Sequence, residues 1–163
     1  MAELTNMETK IAEVIGLAQA AQGATEKVEK LVDDGALKQT LQRMREEAVE
    51  TEERTTSVAE RFDGKKTAIL EKARETKQEA TEMMQTYLGQ DADGLDGFEF
   101  LTMAEAGEVG HWEILGTMNE RAGNAELRAV IEWATPIQQR HLEEARSGSL
   151  QLAAEEDPNQ PAD

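Results

Sequence analysis

Both histidines of this chain stand in the same kind of step, Glu108-Val-Gly-His111 and Gln138-Gln-Arg-His141. On a helix, residues three apart share a face, so each step sets a carboxylate or an amide beside an imidazole. Such a set can ligate a divalent cation. It can also be self-sufficient, because a carboxylate and two imidazoles satisfy one another by hydrogen bonds. Either way the groups need partners, since a buried charge or imidazole without one is costly. Other chemistries find no footing. There is no cysteine, hence no thiolate site or thiol nucleophile. No Gly-rich phosphate loop follows a strand, and no Ser or Lys sits in a nucleophile motif.

The elements that must position these residues are helices. Gly, Pro and Asp-Gly pairs divide the chain into five segments, expected at about residues 4–32, 36–62, 65–88, 98–122 and 125–146. Gly123 reads as the residue that ends the fourth helix and Asn124 as the cap of the fifth. No alternating β-branched run is present, so no sheet is expected. The acidic stretch 91–97 fails as an EF-hand, because Leu95, Asp96 and Thr102 stand where a donor, a Gly and a Glu are required. It reads as a solvated helix-capping loop.

The first two segments carry seams that are mostly apolar or small, running from Met7 and Ile11 to Val32 and from Leu37 and Leu41 to Phe62. The third carries Ile69, Ala73, Thr76, Ala80, Met83 and Tyr87. The fourth reads Leu101, Ala104, Glu108, His111, Leu115, Met118, Ala122, and the fifth Leu127, Ile131, Ala134, Gln138, His141, Ala145. All step by three and four residues, as bundle seams require. A hairpin about Asn124 would set Glu108 opposite His141 and His111 opposite Gln138, with Glu105 level with Glu144 at the flank. The four seam residues would then share one core layer, filled by a metal or closed by hydrogen bonds; the two stand as equal alternatives. Gly107 and Gly110, which weaken a helix interior, are expected to allow a close helix contact. Pro136 is expected to kink the fifth helix or free a carbonyl.

The net charge of −17 opposes nucleic acid and anionic membranes as partners. The N-terminus has no basic and apolar signal-peptide pattern. No stretch approaches a membrane span, so the expected location is cytoplasmic.

The run Glu108-Val-Gly-His111-Trp112-Glu113-Ile114-Leu-Gly-Thr117 resembles the third bundle helix of ferritin-like proteins, in particular bacterial stress-associated ones of largely unassigned function. Glu50-Thr51-Glu52 resembles their Glu-Thr-Glu patch. The resemblance implies an all-α, antiparallel four-helix bundle, with the third segment as an extra crossover helix between bundle helices two and three. It implies one domain, 1–148, followed by an acidic disordered tail, 149–163. A full di-iron pattern takes Glu from two helices and Glu-x-x-His from the other two. Here Gln138 replaces a Glu, Glu47-x-x-Glu50 lacks a His, and Glu13 lies off its seam. The implied protein therefore binds metal, iron or manganese, with an incomplete ligand set. Glu108, His111 and His141 are its primary ligands, and Glu47, Glu105, Gln138 and Glu144 its secondary ones. An open position on bound iron would permit oxidation or peroxide chemistry. The alternative is a non-catalytic stress or interaction bundle that has lost the metal. By analogy with the family a homodimer is compatible. Ser147-Gly-Ser-Leu-Gln-Leu152 faintly resembles tags that dock cargo in an encapsulating shell, the other reading being a frayed helix end.

Overall fold

Helix starts fall where a side chain can accept from a free backbone amide. Thr5 and Glu8 form a reciprocal capping box at the start of α1 (Asn6–Glu29). Asp34 accepts from the Leu37 amide and opens α2 (Gly35–Ala59). α3 (Lys66–Tyr87) has no side-chain cap. Asp93 and Asp96 form a second capping box at α4 (Gly94–Ala122), so the acidic loop does cap a helix, although the helix begins inside it. Gly123, with a φ of 67°, closes α4, and Asn124 accepts from the Leu127 amide to open α5 (Ala125–Ala153). The computed structural model describes residues 2–162, which contain these five helices and no strand. Among the described residues no helix is long and apolar enough to cross a membrane.

Contacts link α1 to α2, α2 to α5, α5 to α4 and α4 to α1, a closed ring of four helices. α3 lies outside it, against α1, with slight contact to α2. Neighbours in the ring are antiparallel. Gln42 of α2 reaches Glu29 of α1 while Glu52 meets Gln19 and Gln22. Arg43 and Glu47 of α2 meet Glu144 and Arg140 of α5, while Arg61 meets Glu126. Thr102 of α4 meets Ser149 and Glu105 meets Gln138. Gly97 of α4 rests on Val28 of α1, and His111 lies by Glu13. α3 runs parallel to α1: Lys65 pairs with Glu8 near the helix starts, Ala73 lies on Gly16, and Lys27 reaches the Leu88 carbonyl.

Three seams match the sequence expectation closely. α2 buries Leu37, Leu41, Met44, Ala48, Thr51, Thr55 and Val58. α1 buries its expected line from Ile11 to Val28, with Met7 half-buried and Val32 buried just beyond the helix, and adds Glu8, Ala12, Ile15, Gly16 and Ala24, because it faces α3 as well as the ring. α5 buries Leu127, Ala134, Gln138, His141 and Ala145. α4 differs. Its buried line is Leu101, Glu105, Glu108, Trp112, Leu115 and Asn119, so Ala104, His111 and Met118 move to the edge. The two stripes share Leu101, Glu108 and Leu115 and differ by a small rotation about the helix axis. The observed rotation buries the Trp112 indole, whose large apolar area outweighs what Ala104 and Met118 would gain.

Further corrections concern glycines and helix ends. A Cβ at Gly107 or Gly110 would meet open space, so neither permits a close contact. The close approaches are elsewhere: Gly148 of α5 lies on the Phe98 ring, and Gly16 of α1 lies on the Ala73 carbonyl of α3. α5 runs past Arg146 and past the expected boundary at 148, to Ala153. It is held there by Gly148 on Phe98, by Ser149 bonding the Ala145 carbonyl and Thr102, and by Leu152 against the core. The whole of the expected docking tag, Ser147 to Leu152, is thus helix. Asp163, the end of the expected tail, lies outside the described residues. Pro136 sits on an exposed face within a continuous α5.

The core has two apolar clusters. One gathers Ile11, Ile15, Val58, Ile69, Trp112, Leu115 and Leu127. The other gathers Val28, Leu37, Leu41, Met44, Phe98 and Leu101. The buried polar residues Thr51, Glu105, Glu108, Gln138 and His141 fall between the two along their helices.

Candidate functional site

The polar layer is centred on His141. α5 buries this residue because it lies on the helix's inward line with Gln138 and Ala145. Its Nε2 lies 3.3 Å from Glu47 of α2, and its Nδ1 lies 3.7 Å from Glu105 of α4. Burial alone would push the imidazole down. The hydrogen-bonding and charge of Glu105, then of Glu47, outweigh that and raise it. Glu105 is the more distant of the two but the more deeply buried, so its charge is less screened. The layer therefore favours the protonated ring, a cation held between Glu47 and Glu105.

Each carboxylate has further partners. Gln138 Nε2 donates to Glu105 inside the core. Arg140 grips Glu47 with two guanidinium nitrogens, and Arg43 lies 3.6 Å from it. Burial acts to raise the Glu47 carboxyl, but hydrogen bonds from Arg140 and His141, and their charges, hold it below its usual range. Arg43 also pairs with Glu144. Nearby hydroxyls are satisfied within their own helices: Thr51 donates to the Glu47 carbonyl, Thr55 to Thr51, and Thr25 to Ala21.

Two carboxylates are not fully satisfied. Glu144 Oε2 is buried without a hydrogen-bond partner, and Glu108, 6% exposed, turns its carboxyl to a cavity rather than to a partner in the layer. Burial, then the nearby charge of Glu105, raises its carboxyl well above the ordinary range and favours the protonated form. It lines an apolar cavity of about 210 Å3 between α1, α3 and α4.

The expected residues are thus partly brought together. Glu47, Glu105, Gln138 and His141 meet. Glu108 lies in the same core level but does not face His141 with a bond. His111 does not oppose Gln138: it is half-buried at the edge, with Nδ1 2.8 Å from the Gly107 carbonyl and Nε2 3.5 Å from Glu13 of α1. Glu144 is tied to Arg43 of α2. The contacts differ from those expected because the α4 rotation that buries Trp112 also turns Glu105 inward and His111 outward. Among the described residues, no group of three or more His, Cys, Asp or Glu gathers so as to hold a metal ion.

Arg43 and Arg140 were not anticipated. Arg43-x-x-x-Glu47 is a visible i,i+4 pair, and Arg140 adjoins His141, yet nothing in one sequence aligns α2 with α5. No family model, no curated protein and no solved structure matches this chain.

Proposed function

We propose that this chain is a four-helix bundle of the ferritin-like type, α1, α2, α4 and α5 being the bundle and α3 its crossover. It acts as a non-enzymatic binding protein whose polar layer is closed by an imidazolium rather than by metal. The antiparallel ring and the outlying parallel α3 support the bundle assignment, since one long crossover between the second and third bundle helices is what such topology requires.

The observation that carries the metal-free reading is the double engagement of His141. Both ring nitrogens face carboxylates, Glu47 and Glu105. A ring protonated at both nitrogens has no lone pair for a metal. Of the other donors, Glu47 is tied to Arg140, Glu105 to Gln138, and one oxygen of Glu144 to Arg43, while Glu108 faces the apolar cavity away from them. His111, an expected primary ligand, sits at the edge and faces Glu13. The donor set therefore does not fit a di-iron or mononuclear centre. A buried ionic network of this kind fixes register between helices, an established use of such groups.

The test is elemental analysis of protein purified without chelator or affinity tag, before and after anaerobic incubation with ferrous iron or manganous ion, beside His141→Ala. The expected result is no stoichiometric metal in either protein. Near-stoichiometric iron or manganese that disappears in His141→Ala would sink this reading and restore the metal-binding one.

A further inference from the structure

The first half of α3 is packed tightly on α1 through Ala68, Ile69, Ala73 and Thr76. The second half is not, and the expected stripe fails there: Met83 is 59% exposed and Tyr87 56%. α3 and α4 are not in substantial contact with each other, so a gap opens between them over α1. That gap is the cavity of about 210 Å3. Its α1 wall is Leu17 and three alanines, and its α3 and α4 walls include Met83, Met84, Phe100 and Met103. Methionine adapts to the shape of what it covers, which suits a binding wall better than a fixed core.

Of the sixteen lining residues three titrate, Glu105, Glu108 and His111, all on α4. Glu105 is committed to Gln138 and His141. His111 is at the edge, beside Glu13. Glu108 alone is deeply buried with its carboxyl on the cavity wall and no tie to another helix. Buried polar groups are ordinarily paired. An apolar cavity with one convergent polar group is the ordinary form of a small-molecule site.

We infer that this cavity binds a small amphiphilic primary amine, its ammonium on the Glu108 carboxylate and its apolar body against the methionines of α3 and α4. The charge environment selects the head group. A carboxylate ligand would set a further negative charge beside Glu105, in a chain of net charge −17. A neutral hydroxyl would not offset the Glu105 charge that opposes ionisation of Glu108. An ammonium offers three donors and lets Glu108 ionise beside Glu105. The volume selects the body. A cavity of about 150 Å3 accepts benzene, so this one suits roughly six to eight carbons. In the free protein burial and the Glu105 charge favour the protonated Glu108 carboxyl. Formation of the ion pair releases that proton to solvent, one per ammonium bound, and no bond other than the O–H is broken.

This inference rests on the metal-free reading in one respect, that no cation already occupies Glu108. The experiment is titration calorimetry of the full chain with n-hexylamine, n-hexanol and hexanoate, at neutral pH, in buffers of different ionisation enthalpy. The expected result is saturable binding of one hexylamine per chain with release of one proton, hexanol weaker by at least about tenfold, and no binding of hexanoate. Glu108→Gln should weaken hexylamine by at least about tenfold and abolish the proton release. Ala104→Phe, which fills the cavity, should block binding, with circular dichroism reporting whether the helices persist. Absent hexylamine binding, equal binding of hexanol, or unchanged binding to folded Glu108→Gln would each overturn the inference. Metal content of the same preparation separates the two proposals. Stoichiometric metal defeats the metal-free reading whatever the amine does, whereas failure of the amine in metal-free protein defeats this inference alone.

Discussion

His141 of α5 and Glu105 of α4 face each other in the core, Nδ1 3.7 Å from the carboxylate, with both side chains almost wholly excluded from water. On the other side of the same ring stands Glu47 of α2, at 3.3 Å. One imidazole thereby ties three of the four ring helices at a level between two apolar clusters. Sliding α5 by one turn would leave two buried carboxylates without their cation, so the layer resists register slips that the small, repetitive alanine seams would tolerate.

Removing the cation alone should be severe. His141→Ala is expected to lower unfolding free energy by on the order of 3–5 kcal/mol, because Glu105 is left buried without its imidazole partner. Replacing Glu105, Gln138 and His141 together by Leu should cost less than the single change, since no charge is stranded. Urea unfolding monitored by circular dichroism compares the two. A triple variant weaker than His141→Ala would show that the layer adds stability beyond register.

Stability should depend on pH with a definite sign. His141 is raised above 6.5 in the folded state, so its contribution is complete below about that pH and is lost as pH rises through the folded value. Glu108 is raised above 4.5, so it too favours the folded state at lower pH and opposes it as pH climbs above 4.5. Glu47 is lowered, so its contribution is present above 4.5 and is lost as pH falls through the folded value. The urea midpoint should therefore be highest in mildly acidic solution and decline from about pH 5 to about pH 8. A midpoint that climbs over that range would contradict the assignment of His141 and Glu108.

Glu108→Leu should stabilise the chain at neutral pH by about 1–3 kcal/mol, the usual cost of a buried polar group with no partner. The gain should shrink toward about pH 4, where the unfolded carboxyl also becomes protonated. Thermal melts of both proteins at three pH values measure it. A loss of stability at neutral pH would mean that the carboxyl has a partner in the folded protein.

Two glycines of the same helical type should respond oppositely to alanine. Gly148→Ala drives a methyl into the Phe98 ring, and a loss of about 1–3 kcal/mol is expected from overpacking. Gly107→Ala adds a methyl into open space within α4, and a gain of about 1 kcal/mol is expected from helix propensity. Melting temperatures distinguish the two signs directly.

The helices themselves were legible in the sequence because they depend on near neighbours. Asp34, Gly123 and Asn124 set boundaries through local caps and backbone conformation. The α2 and α5 seams follow from periodicity, and with them the burial of Gln138 and His141. Tertiary structure decided which of two overlapping stripes of α4 turns inward, since Leu101, Glu108 and Leu115 belong to both and only packing area favours Trp112 over His111. That rotation carried Glu105 into the core and His111 to the edge. It was also tertiary structure that set Glu47, with Arg43 and Arg140, against His141, because alignment of α2 with α5 is fixed by the whole ring and by no turn between them. The cavity over Glu108 is equally non-local: an amphipathic stripe on α3 says that it can pack, and only the placement of α1 and α4 determines how far along its length it does.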